Sequence, residues 1–171
     1  PNLDWKFIYI LPRRITLDCY ARAFQYKILH NALFLNKKLF IFGKTNTAFC
    51  SFCNLFDETI VHLFCECGKT KALWNELKIS FASNFQLHDL SPQAAYFWFL
   101  QSDNTNTLQN NLLLIFKLHI YKSRKQGYLN LAKLMIDIRK VYQTEKTSVN
   151  LNRINEKAHN SKWSKIECKL V

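Results

Sequence analysis

Cys50-Ser51-Phe52-Cys53 opens the stretch that decides how this chain is read; eight residues further on comes His62, and four residues separate it from Cys67. Two thiols separated by two residues grip one metal from a tight turn. A His and a Cys four residues apart close the other half from one helix end. Four such ligands fit tetrahedral zinc, and a site with all four positions taken by protein leaves none open for catalysis. The stretch predicts one structural zinc held by Cys50, Cys53, His62 and Cys67. Cys65 is the rival fourth ligand; it sits between Phe64 and Glu66 at a less usual spacing and reads as a helix-packing residue.

Working outward, the other cysteines are Cys19 and Cys168, far from this cluster. No targeting segment is evident, because the first apolar stretch, residues 7–11, is short and runs into Pro12-Arg13-Arg14. A reducing intracellular compartment, nucleus or cytoplasm, with metal rather than disulfides is the expectation. The chain opens on Pro1, as a piece of something longer would. At 171 residues it has one-domain length. Three Gly and three Pro are few turn-formers, so long helices are expected. No apolar run approaches the ~20 residues needed to span a bilayer, and neither a membrane nor a small-molecule substrate is expected as partner.

The net charge of +12 is uneven: residues 1–112 hold 11 basic and 8 acidic side chains, residues 113–171 hold 13 and 4. That asymmetry favours a polyanion, most often nucleic acid, over the alternative of a merely well-solvated helical surface. The metal segment is the exception. Residues 45–68 carry Asp57, Glu58 and Glu66 and no Lys or Arg, so phosphate contact is not expected there.

The periodicity predicts a mostly α fold, a small helical domain organised around the Cys3His site, with any strand confined to short pieces near residues 94–100 or 1–14. Residues 1–14 read as extended. Helix one is expected to start near Thr16 or Asp18 and run through Ala21, Phe24 and Ile28 towards Leu35, buried on much of its circumference. A short helix over 36–42 ends at Gly43, and Asp57 is expected to cap a short helix carrying His62. A longer helix is expected over 69–81, with Leu73, Trp74, Leu77 and Phe81 on one face. The zinc is expected to pin helix one to this helix. Residues 102–107 are a polar linker, dividing a zinc-binding region, 1–101, from a basic helical region, 102–171, packed on it. Beyond it come helices over 108–125 and 131–144, broken at Gly127, and a tail anchored by Ile154 and Trp163.

Residues 117–125 are the nucleic-acid candidate: on a helix Lys117, Tyr121, Arg124 and Lys125 fall near one face, beside Lys122. Lys and Arg neutralise phosphates, and an exposed Tyr stacks on a base. The alternative is a core helix with an ordinary charged outer face. Arg13-Arg14 and Lys37-Lys38 are weaker basic pairs. Catalytic motifs are missing: there is no GxGxxG, P-loop or GxSxG, and the acidic residues are scattered apart from Asp57-Glu58. An enzyme is not expected.

Residues 24–31 (Phe-Gln-Tyr-Lys-Ile-Leu-His-Asn), Cys50-Ser51-Phe52-Cys53, Glu58-Thr59, His62-Leu63-Phe64, Cys67 and Leu73-Trp74 together resemble the zinc-binding domain that follows reverse transcriptase in LINE-type non-LTR retrotransposon polyproteins. The likeness runs from about Trp5 to Leu77 and returns in Ile115-Phe116 and Ile120-Tyr121-Lys122-Ser123-Arg124. It implies the same four zinc ligands, and a module that assists target-primed reverse transcription by binding template RNA or target DNA alongside the polymerase region of its polyprotein. The polymerase and its Tyr-x-Asp-Asp lie outside this chain. A second reading is a structural module that docks on the polymerase, or a decayed or domesticated remnant, without nucleic-acid binding of its own.

Overall fold

The computed structural model describes residues 4–98, 105–151 and 153–170, and its first element corrects an expectation. Asp4 accepts a hydrogen bond from the Phe7 amide at 3.0 Å and caps a helix, α1 (Trp5–Ile15), where extended chain was expected. Ile8, Leu11 and Ile15, spaced three and four apart, are its buried stripe. Pro12 lies inside α1, where a proline costs about 3 kcal/mol because it has no N–H and crowds the preceding turn. The carbonyl left without a helical donor is that of Ile8, and the Trp98 indole donates to it at 3.3 Å. A side chain ninety positions away thus makes the helix tolerable.

Asp18 caps α2 (Cys19–Leu29) by accepting from the amides of Tyr20 and Ala21, as expected. The helix ends earlier than expected. Asn31 takes φ +49°, its amide bonds the Ile28 carbonyl, and the Ala32 amide bonds that of Lys27. This is the paired closure that stops a helix with a left-handed residue. Helix α2 buries one face only, Ala21, Phe24, Gln25 and Ile28, and leaves Tyr20 and Tyr26 exposed, against the expectation of burial on most sides. Helix α3 (Asn36–Ile41) closes by the same device at Gly43, φ +65°, as the sequence predicted.

Helix α4 (Gly68–Phe81) buries Leu73, Trp74, Leu77 and Phe81, as predicted. Residues 94–96 belong to a short helix, α5 (Pro92–Tyr96), capped by Ser91, and not to a strand; 99 and 100 lie outside the described residues. Of the expected polar linker, 102–104 lie outside the described residues, while 105–107 already form the first turn of α6 (Thr105–Ser123). Helices α7 (Leu131–Asn150) and α8 (Glu156–Trp163) follow, then a 3-10 turn, Glu167–Lys169.

Helix α6 is buried from Leu108 to Ile120, with Leu108, Leu112, Leu113, Leu114, Phe116 and Ile120 at 2% exposure or less and with Gln109, Asn110, Asn111, Lys117 and His119 buried among them. A helix of that kind is covered on every side. Helices α1, α2, α7 and α8 pack on it, together with the turn that carries His62. The C-terminal segment is anchored by a buried network: Glu145 accepts from the Trp163 indole at 2.7 Å and from Lys162, whose ammonium also caps the Ile15 carbonyl of α1 at 2.6 Å. Among the described residues the β pairing is an isolated bridge between Phe49 and Asp57, and no helix is long and apolar enough to cross a membrane.

Candidate metal centre

The turn at Cys50–Cys53 is closed by the Asn54 amide on the Cys50 carbonyl at 3.0 Å, with Asn54 at φ +54°. The chain then returns antiparallel, and the Cys50 amide bonds the Phe56 carbonyl at 2.8 Å. The other two ligands come from a π-helical turn, His62–Glu66, whose closing bond runs from the Cys67 amide to the His62 carbonyl at 2.8 Å. On an α-helix, residues five apart point about 140° away from each other. The wider turn bonds residue to residue at that spacing and lets His62 and Cys67 address one point. Thr59, not Asp57, supports its start, accepting from the His62 amide at 3.1 Å.

Sγ of Cys50, Cys53 and Cys67 and a ring nitrogen of His62 all lie within 4.8 Å of one another. Cys50 and Cys67 are 3.9 Å apart, and Cys53 is 3.3 Å from Nε2 of His62. Those are edge lengths of a tetrahedron with ~2.0–2.3 Å metal–ligand bonds. Cys50, Cys67 and His62 are buried, and the Phe56 ring covers His62 at 5.5 Å. The donor set calls for a cation. The Cys67 thiol is held down to about 4, first by the Cys50 thiol donating to it and further by the Thr70 and Lys69 amides at the start of α4; Cys50 is pushed far up, first by that same hydrogen bond to Cys67. A hydrogen bond between two buried sulfurs is the contact that a bound cation would replace. Cys65 is buried outside the cluster, its thiol raised by burial, and packs as the sequence suggested.

Residues 4–74 match the family described as zinc-binding in reverse transcriptase. Over that stretch, less than half of the chain, the protein is similar to a reverse-transcriptase-associated zinc-binding domain. No curated protein and no solved structure matches the chain.

None of the four candidate ligands lies on α2, so a metal held there would join the Cys50–Cys53 turn to the start of α4 rather than pin helix one, against expectation. The segment carrying the cluster reaches α2 through packing, with Phe64 edge-on to Phe24 at 6.2 Å. The long-range tie is Glu58. Its fully buried carboxylate accepts from the Ser51 amide at 2.8 Å and hydroxyl at 2.6 Å, and from the Asn36 amide at the start of α3 at 2.9 Å. It also pairs with Arg124, from the end of α6, which donates further to the Phe34 carbonyl and Asn36 Oδ1, both at 3.0 Å. Sequence reasoning marked Glu58 only as half of an acidic pair. Nothing local marks Arg124 as its partner. Asp57 pairs with Lys37 at 3.1 Å, so neither carboxylate is left as a free negative charge.

The five residues expected to bind nucleic acid divide in two. Lys117, Tyr121 and Arg124 do share a face of α6, but it faces inward. Lys117 is fully buried, donating to the Phe97 carbonyl at 2.9 Å, and burial lowers its ammonium to about 7. Tyr121 packs on Phe24 at 5.4 Å with the Arg124 guanidinium over its ring. Lys122 and Lys125 are exposed, without an ion pair among the described residues, and line an open groove of about 600 Å³ with Tyr20, Phe34 and Leu39. Lys122 lies over the Tyr20 ring at 5.3 Å.

Proposed function

We propose that this is a zinc-stabilised nucleic-acid-binding accessory module of a retrotransposon reverse transcriptase, working beside the polymerase of its polyprotein in a reducing compartment during target-primed reverse transcription. Cys50, Cys53, His62 and Cys67 would hold one structural zinc, which supplies folding energy on the order of 10–16 kcal/mol, as in small zinc peptides. RNA or DNA would lie against the groove between α2, α3 and the end of α6. The observation that carries this reading is the groove itself, where exposed Tyr20 and Phe34 stand beside unpaired Lys122 and Lys125. Cations neutralise the strand while ring faces stack on its bases. The Glu58–Arg124 clasp fixes the groove to the zinc turn, since Arg124 and Ser51 line it too.

The test is a salt titration of the zinc-loaded protein. With Lys122 and Lys125 both changed to Ala, the slope of log affinity against log salt should fall by about 1.4–1.8, at ~0.7–0.9 per phosphate contact. An unchanged slope sinks the groove as the site. A second reading, docking on the polymerase, has its own support: α3 and the metal segment expose Phe40, Ile41, Phe42, Phe49, Leu55 and Phe56. Binding of the polymerase segment that is lost on changing Ile41 and Leu55 to Ser, with no affinity for either nucleic acid, favours it.

A further inference from the structure

Helices α1 and α2 carry a second surface, on the other side of α2 from the groove. Tyr20 and Tyr26, six residues apart, point about 120° away from each other and so do not share a face. Trp5 and Tyr9, one turn apart on α1, have ring centroids 6.4 Å apart. Tyr9 meets His30 at the end of α2 at 6.0 Å, its hydroxyl 3.2 Å from Nε2, and His30 lies 4.2 Å from the ring of Tyr26. The interplanar angles are 33°, 39° and 40°, so the rings form one continuous tilted row across both helices. The row faces water: Trp5 is 53% exposed, Tyr9 43% and Tyr26 56%.

Charge completes it. Lys6, Arg13, Arg14 and Lys27 project from the same two helices, exposed and with no hydrogen bond or ion pair among the described residues. The carboxylates of this helix pair, Asp4 and Asp18, are both used as helix caps. Ring faces held open by a packed scaffold, with free cations around them and no free carboxylate, match an unpaired nucleic-acid strand. Bases offer π-faces only when unpaired, and stacking tolerates any base.

We propose that Trp5, Tyr9, His30 and Tyr26 form a stacking platform for single-stranded nucleic acid, with Lys6, Arg13 and Lys27 meeting its phosphates. This rests on the nucleic-acid reading of the module and assigns it a single-strand face distinct from the groove. The fold supplies its own probe. Of the four tryptophans, Trp74, Trp98 and Trp163 are exposed by only 1%, so collisional quenching and base stacking act on Trp5.

The experiment titrates the zinc-loaded full chain with oligouridylate, oligothymidylate and a blunt duplex, following tryptophan emission and, separately, binding anisotropy. Both single strands are expected to quench Trp5 and the duplex is not; the two strands together separate RNA from DNA preference. Trp5→Phe should remove the quenching, and Tyr26→Ala should weaken single-strand binding about 5- to 100-fold, as loss of one stacked base does. These side chains are exposed, so circular dichroism should match the parent. Single-strand binding without quenching and untouched by Tyr26→Ala overturns the platform while leaving the nucleic-acid reading in place. No binding of strand or duplex overturns both, and a polymerase segment captured only with Tyr26 intact would then make this a protein-docking face.

Discussion

Arg124→Met tests whether the Glu58 clasp holds the zinc turn. The change keeps the aliphatic stem of Arg124 and removes the charge, leaving a fully buried carboxylate whose remaining partners are the Ser51 amide and hydroxyl and the Asn36 amide. Removing one partner of a buried ion pair costs about 3–5 kcal/mol. The Arg124 side chain is 11% exposed, so water relieves part of this and the lower figure is expected. With an urea dependence of about 2 kcal/mol/M, a 3 kcal/mol loss lowers the unfolding midpoint by about 1.5 M. Because Ser51 lies inside the Cys50–Cys53 turn, zinc affinity should also fall about 10- to 100-fold, as for other groups that orient metal ligands. The assays are urea unfolding of the zinc-loaded chain and competition with a chromophoric chelator. Glu58→Gln combined with Arg124→Met should recover part of the loss, since no charge is then buried alone. A midpoint within about 0.3 M of the parent, with zinc affinity unchanged, would refute the argument.

Metal analysis after dialysis should give one zinc per chain; Cys67→Ser should lose it and Cys65→Ser keep it, and the reverse result would sink the ligand assignment. Chelation should melt the metal segment and the start of α4, read as loss of hydrogen-exchange protection there. Lys117 is charged in the unfolded chain up to its usual pKa but titrates near 7 when folded, so between those values the unfolded state binds more protons and stability rises with pH. Lys117→Met should flatten that rise above pH 7 and leave nucleic-acid binding intact; an unchanged pH profile would count against a neutral buried amine. Trp98→Phe orphans the Ile8 carbonyl and should cost about 1–3 kcal/mol, partly regained by Pro12→Ala, which restores the helical donor. Additive losses in that pair would show that the indole bond does not compensate for the proline.

The metal ligands, the Asp18 and Gly43 caps, the buried stripe of α4 and the helical class were all legible because each rests on short-range rules: ligand spacing, cap chemistry and a three-four repeat. Helix α1 had its signals too, Asp4 as cap and Ile8, Leu11 and Ile15 in register, but Pro12 argued against it, and the Trp98 indole that answers the proline is ninety residues away. The inward turn of Lys117 and Arg124 was invisible for a related reason. A helix pattern tells which residues share a face, not which face meets the core when polar and apolar residues are mixed around it, and α6 is buried all round from Leu108 to Ile120. Glu58 and Arg124 are 66 positions apart and nothing in either neighbourhood specifies the other. The aromatic row of Trp5, Tyr9, His30 and Tyr26 is of the same kind, two ordinary pairs one turn apart that become one surface when α1 lies against α2. The sequence by itself determined which four side chains converge in the candidate metal site and most of the segments that coil, because those follow from neighbours within a turn or two. Tertiary structure alone decided which charges stay in water and which rings line up, because burial and long-range pairing depend on how the helices pack.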